Sequence, residues 1–297
     1  MSLEEVHFLL TYSCTYECEH CFLYSGPFSE GTFTPLTLTK ALDSIASVPS
    51  VHTLYFEGGE PFLFHPLLLN ALDQAHQRGF KLGVVTNAFW ATSEENAALY
   101  LIPLTKFDII DLSISNDAFH SGKDSQLVQN ATKVASELGF PLSSISVEEL
   151  ELRDEQVGKL GAKCSVMFRG RAADQLTADQ PSFPAATFTE CPYENLTSPK
   201  RVHVDPFGNV HLCQGISIGN MLETPLATVM EDYSPENHPI LGPIVSGGPL
   251  ELAKSLGFSQ LEGYVDSCHF CYTLRKNALE RYPRFLTPPQ VYGKGQT

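Results

Sequence analysis

The chain has 297 residues, 43% of them hydrophobic, enough for one barrel-sized domain plus a smaller module. Nineteen Lys and Arg against 34 Asp and Glu give a net charge of −15, which argues against an open basic surface for nucleic acid. No apolar run of about 18 residues and no signal-like segment occurs, and eight cysteines are too few for a secreted disulfide scaffold, so a cytoplasmic protein with no membrane span is expected.

Val6–Leu10 is the first predicted strand, and it opens into LLTYSCTYECEHCFLY. Cys14, Cys18 and Cys21 stand there as C-x3-C-x2-C. Three thiolates suit soft iron, and a [4Fe–4S] cube has four iron corners. Three ligands therefore leave one iron open. Zinc is the alternative, with His20 as a fourth ligand in a crowded loop. Leu38, Ala41, Leu42 and Ile45 predict a helix over 37–48. A second strand, Thr53–Phe56, leads to Gly58-Gly59-Glu60-Pro61. Glycines let a backbone approach a ligand, and a carboxylate matches an ammonium, although the same residues also make a plain turn. A helix follows from Pro66 to Arg78, stopped by Gly79, and then a strand, Lys81–Thr86, ending in Thr86-Asn87. Residues 93–103 are helical, capped by Thr92 or Ser93, with Glu94 and Glu95 in the first turn. Phe107–Ser115 is the fourth strand, 122–138 a helix ended by Gly139, and Ser144–Leu150 and Cys164–Phe168 the fifth and sixth strands. Such alternation implies a parallel sheet with ligands at the strands' carboxyl ends.

From about residue 174 this rhythm stops. Pro181 and Pro184 mark a linker, and Cys191 follows. Arg201–Val204 and Val210–Leu212 flank a turn at Asp205–Asn209, which predicts a hairpin. Cys213 ends it, and Cys268 and Cys271 form a later C-x2-C before a basic helix. Four cysteines on such a frame fit one iron–sulfur cluster or a zinc ribbon. Arg169 and Arg171 in RGRA are carboxylate clamps or a solvated turn. Cys164 is a small buried thiol or a hydrogen-atom donor.

The cysteine loop and the GGEP segment together resemble the signature of the radical S-adenosylmethionine (SAM) superfamily. The pattern Cys191, Gly208-x4-Cys213, Cys268-x2-Cys271 is similar to the truncated auxiliary-cluster module called a twitch domain, a smaller relative of SPASM domains. The resemblance implies an α/β fold, a partial (β/α)6 TIM-like barrel over 1–173, with a small α+β twitch-like module of hairpin and helices over 174–297. It implies SAM on the open iron of a [4Fe–4S] cluster held by Cys14, Cys18 and Cys21. One-electron reduction then yields a 5′-deoxyadenosyl radical that takes a hydrogen atom from substrate. Gly58, Gly59 and Glu60 would hold the methionine amino group, and His20 would pack near the adenine. Thr86, Asn87, Ser113, Ser115 and Asp117 would contact SAM, Arg169 would clamp a carboxylate, and His120 would touch substrate. Cys191, Cys213, Cys268 and Cys271 would carry a second, auxiliary [4Fe–4S] cluster handling electrons. Flavodoxin or ferredoxin is the implied reductant, and a peptide or small polar metabolite the implied substrate. With little chain ahead of the first strand, recognition of a large leader peptide is not expected. A non-catalytic iron–sulfur carrier or sensor, or an enzyme with structural zinc at its C-terminal site, are the alternatives.

Overall fold

Strands buried on both faces must be apolar throughout, and β1 (Glu5–Thr11) carries Val6, Phe8, Leu9 and Leu10, all fully buried. The computed structural model describes residues 3–147, 166–259 and 263–295. Beside β1 lie β2 (Thr53–Gly58), β3 (Lys81–Thr86), β4 (Ile109–Ser115) and β5 (Leu142–Ile145), each parallel to its neighbour. The crossovers are helices. α1 (Pro35–Ala46) starts on a capping box in which Thr34 Oγ1 accepts the Thr37 N–H and Thr37 Oγ1 accepts the Thr34 N–H. Its buried stripe is Leu38, Ala41, Leu42 and Ile45, the spacing legible in the sequence. α2 (His65–Gln77) buries Leu68, Ala71, Leu72 and Ala75. α3 (Glu94–Leu101) is capped by Ser93 and α4 (Gln126–Glu137) by Ser125.

Two expected strands differ. The fifth begins earlier, at Leu142, and stops at Ile145, because the Val147 N–H goes to Asp117 Oδ2 (3.3 Å) and leaves the ladder. Its expected tail, 148–150, lies outside the described residues. So do Cys164 and residue 165 of the sixth. The remainder, Val166–Phe168, is not a strand: the Arg169 N–H folds back onto the Met167 carbonyl (2.7 Å), and Gly170 follows with φ +62°.

The other edge of the sheet is extended instead. After α5 (Arg171–Gln175) and the two-residue β6 (Phe183–Pro184), β7 (Arg201–Val204) pairs parallel with β1. β8 (Asn209–Cys213) and β9 (Ile216–Asn220) then add antiparallel. The predicted hairpin is therefore continuous with the barrel sheet, in the order β5-β4-β3-β2-β1-β7-β8-β9. α6 (Leu226–Glu231), α7 (Leu241–Leu256, kinked at Gly247 and Gly248), β10 (Gly263–Tyr264, paired with β6) and α8 (Ser267–Asn277) complete the chain. The fold is mixed α/β, with an open, largely parallel sheet forming a partial barrel. No helix among the described residues is long and apolar enough to cross a membrane.

Asp205 locks the hairpin to β1. It is fully buried, and its carboxylate accepts from Tyr12 Oη (3.1 Å), the backbone N–H of Phe207 (3.0 Å) and Asn209 (2.9 Å), and Asn209 Nδ2 (2.9 Å). Removing the carboxylate strands these buried donors, each worth roughly 1–3 kcal/mol. Asp205→Ala should therefore lower the unfolding free energy by about 3 kcal/mol or more in chemical denaturation, whereas truncating the exposed Phe207 at the hairpin tip should cost under about 1 kcal/mol.

Candidate functional site

The carboxyl ends of β1, β2 and β3 share one rim, and each carries a predicted motif. The cysteine loop follows β1, Gly58-Gly59-Glu60-Pro61 ends β2, and Thr86-Asn87 ends β3. The GGEP turn is bonded to the residues just before Cys14: the Gly59 N–H donates to the Thr11 carbonyl (2.7 Å) and the Glu60 N–H to the Ser13 carbonyl (2.9 Å). A Cβ on Gly58, at φ +135°, would meet the Thr11 carbonyl, and one on Gly59 the Ser13 carbonyl. Only glycine allows this approach.

Glu60 is fully buried. Its Oε1 accepts from the Phe62 N–H (3.0 Å) and Thr86 Oγ1 (2.9 Å), and its Oε2 from the Asn87 N–H (2.7 Å). A carboxylate accepts about four hydrogen bonds, so one acceptor position remains on the side of the cavity it lines. Burial pushes Glu60 up to about 7, against the pull of these three donors. Thr86 is committed to this network, since its hydroxyl also accepts from Trp90 Nε1 (3.0 Å) and the Ala88 N–H (3.1 Å). Asn87 reaches the cysteine loop, with Nδ2 3.5 Å from Cys14 Sγ and 3.2 Å from Thr15 Oγ1.

These groups surround a cavity of about 270 Å3 whose wall includes Cys14, Cys18, Cys21, His20, Gly58, Gly59, Glu60, Thr86, Asn87, Ser115 and His120. Burial pushes the Cys14 thiol up to about 12 and Cys18 higher still. Left alone such thiols stay protonated. A bound metal centre is what would ionise them, so their chemistry fits a cluster. The loop is held by Arg171, whose guanidinium donates to the Cys18 and Ser25 carbonyls, both at 2.7 Å. His20 packs on Phe119 (4.7 Å between ring centres), and burial lowers it to about 4, so it is a neutral ring in the wall. Asp117 Oδ1 lies 2.8 Å from His120 Nδ1 and also accepts the Phe119 N–H. Burial raises Asp117, but the contact with His120 outweighs it and the net shift is downward.

Two expected SAM contacts lie elsewhere. Ser113 bonds to Asp111 (2.7 Å) and Ser143 (2.6 Å) and is not in the cavity wall, because it lies two residues before Ser115 on the same face of β4, further from the strand's carboxyl end. Arg169 is not a clamp at this cavity. The tight turn at Met167–Gly170 sends it to the C-terminal cysteines, where Nη1 lies 3.1 Å from Cys213 Sγ and 3.5 Å from Glu194 Oε1. Nor are Arg169 and Arg171 on a solvated turn, since both are buried.

Cys191, Cys213, Cys268 and Cys271 line one small second cavity with Arg169 and Arg275. Cys268 and Cys271 sit in the first turn of α8, which Asp266 caps through the His269 N–H (2.7 Å). Arg275 is buried one turn later and donates to the Gln214 carbonyl and Tyr292 Oη. Arg275, the hold of Arg171 on the cysteine loop and the pairing of Asp117 with His120 escaped sequence reasoning. Only Arg275 had a readable signal, its i+4 spacing from Cys271 on one helix. Among the described residues, ligand atoms of three metal-binding side chains lie within 4.8 Å of one another in two places, His7/Glu57/His203 and His20/Asp117/His120, and neither set contains a cysteine.

No family model matches the chain. It is similar to the putative peptide biosynthesis protein YydG of Bacillus subtilis (strain 168), at 24% identity over 108 residues, 36% of this chain and 34% of that protein. It is similar also to the tungsten-containing aldehyde ferredoxin oxidoreductase cofactor-modifying protein of Pyrococcus furiosus, at 28% over 147 residues, 47% of this chain and 41% of that one. The antilisterial bacteriocin subtilosin biosynthesis protein AlbA of Bacillus subtilis (strain 168) is 33% identical over 114 residues, 38% of this chain and 24% of AlbA. The matches span less than half the length of each relative. The solved structure of native anSMEcpe with bound AdoMet and Cp18Cys peptide shares the fold, with a TM-score of 0.50 at 14% identity over 94% of this chain and 97% of that one. A cysteine loop of this spacing, sealed to a GGEP turn on this sheet, and the similarity to these relatives together support a radical SAM superfamily enzyme.

Proposed function

We propose that the chain is a radical SAM enzyme that takes a hydrogen atom from a peptide or a small polar metabolite. The observation that carries this is the convergence of Cys14, Cys18, Cys21 and Glu60 on one cavity. When bound, the cluster and SAM supply a 5′-deoxyadenosyl radical, the hard step of the chemistry. The chain's part is to bind and orient. The three cysteines hold the cluster and leave one iron free. Glu60 offers its remaining acceptor position to the methionine ammonium, and His20, Asn87 and Ser115 shape the wall around SAM. The largely apolar cavity keeps water from the reacting atoms. The substrate class rests on relatives described in peptide biosynthesis and cofactor modification, and on a fold neighbour holding a peptide. The reductant belongs to the same proposal, as a flavodoxin- or ferredoxin-type electron donor.

The four C-terminal cysteines are proposed to hold an auxiliary [4Fe–4S] cluster that exchanges electrons, in a module beginning near residue 174. Two features support iron–sulfur over zinc. Thiolates 2.3 Å from one tetrahedral zinc lie about 3.8 Å apart, tighter than any cysteine trio among the described residues, while a cube spreads its ligands wider. Arg169 and Arg275 also place two buried cations against the site, suiting a group of net negative charge. Anaerobically reconstituted protein should then hold about eight iron and eight sulfide per chain, and a Cys14/Cys18/Cys21→Ala variant about half of each. Zinc retained at the C-terminal cysteines, with iron lost completely from the triple variant, would reject the auxiliary cluster.

Glu60 gives a second test. Held at about 7, it is largely neutral below that pH and charged above it, and only the charged form pairs with an ammonium. SAM affinity should rise as pH goes from about 6 to 8. Glu60→Gln should weaken binding about ten- to a hundredfold at pH 8, the worth of a charge-assisted bond, and flatten that pH dependence with cluster content unchanged. Isothermal titration of cluster-loaded protein measures both, and unchanged affinity would reduce the GGEP carboxylate to a structural cap.

A further inference from the structure

Strand pairing assembles a set of ligands that the radical chemistry does not use. His7 and His203 are register partners on β1 and β7. Glu57 lies on β2, two residues beyond Tyr55, the register partner of His7 on that side. Alternation therefore puts all three on one face of the sheet. Glu57 Oε1 is 3.3 Å from His7 Nδ1 and 3.2 Å from His203 Nε2. Neither contact is aligned as a hydrogen bond: Glu57 Oε1 and both ring nitrogens of His7 are buried without a hydrogen-bond partner. Ligand atoms at 2.0–2.2 Å from a tetrahedral ion stand about 3.3–3.5 Å apart, which matches these separations. The far nitrogen of His7, Nε2, lies 3.7 Å from Glu5 Oε2, and Tyr55 stacks on the ring at 4.7 Å. A carboxylate behind a ligating imidazole, with the ring held in place, is the usual support of a metal site.

We propose that His7, Glu57 and His203 bind a divalent transition-metal ion, with zinc the best match to two imidazoles and one carboxylate. Three protein ligands leave a fourth position for water or a substrate oxygen. Glu57 also lines the large cavity, so the ion sits beside the substrate space and can act as a Lewis acid on a carbonyl or carboxylate oxygen there. The site uses neither the cysteines nor Glu60, so it stands or falls apart from the radical SAM reading. Burial opposes charging His7, but Glu5 and Glu57 outweigh both burial and Arg201 and lift it to about 9. Burial keeps His203 low despite Glu57, with His7 and Arg201 adding to the effect. Tyr55 is raised by burial and by Asp111, Glu5 and Glu57, and so stays neutral beside His7.

The test uses cluster-loaded protein dialysed free of loose metal and titrated with Zn2+ alone. One zinc per chain should bind beyond the cluster iron, and anomalous scattering at the zinc edge should place it among His7, Glu57 and His203. His203→Ala should weaken that zinc at least tenfold with iron content unchanged. A map with no peak among the three residues, zinc found only at cysteines, or undiminished stoichiometry in a folded His203→Ala protein would overturn the site. The wild-type map needs no variant, so it decides even if His203→Ala misfolds.

Discussion

Everything at the rim depends on how closely two backbones approach. Gly58 and Gly59 lie against the Thr11–Ser13 carbonyls with no room for a Cβ, and the Gly59 and Glu60 N–H groups close the contact. That closeness fixes where Glu60 enters the interior. Glu60 in turn gathers Phe62, Thr86 and Asn87, and Asn87 reaches across to Cys14 and Thr15. Three strand ends are thus tied into one polar unit inside an apolar surround. In a low-dielectric setting such a unit holds its geometry because every loose donor is costly.

Charge is arranged in the opposite sense inside and out. The chain carries a net −15, yet three guanidiniums are buried beside cysteines. Arg171 clamps carbonyls of the first cysteine loop, while Arg169 and Arg275 face the second cysteine group. Among the acids beside this second group, Glu194 is 3.5 Å from Arg169. Burying cations at this cost makes physical sense when a negatively charged centre shares the space. Arg169, turned away from the first cavity by the bend before Gly170, reaches instead to Cys213.

Much of this was legible in the sequence. The helix period of 38/41/42/45, the strand ends at Thr86 and Ser115, and the Ser93 cap follow from local chemistry and appear where expected, whereas β2 runs two residues past its expected end at Phe56. The cysteine loop and GGEP were readable because their spacing is tied to a strand end. Other features arise from contacts distant in sequence. Nothing local says that Arg201–Val204 will pair with β1, or that a turn at Met167–Gly170 will replace a sixth strand. Ser113 was placed at the cavity by its nearness to the strand end, but it lies two residues short of Ser115 on the same face and is held there by Asp111 and Ser143. The His7/Glu57/His203 group was invisible for the same reason, since its members are brought together only by sheet register. Asp117 and His120, close in sequence, needed the Val147 N–H to show that the carboxylate is held in place.

The account's central claim is that this cavity binds SAM on an open iron and breaks it. The most direct measurement is 5′-deoxyadenosine formed by cluster-loaded protein given SAM and dithionite without air. The account predicts slow uncoupled formation that is abolished in Cys14→Ala and survives loss of Cys268 and Cys271. Protein with a fully loaded first cluster that binds SAM yet yields no 5′-deoxyadenosine would contradict it.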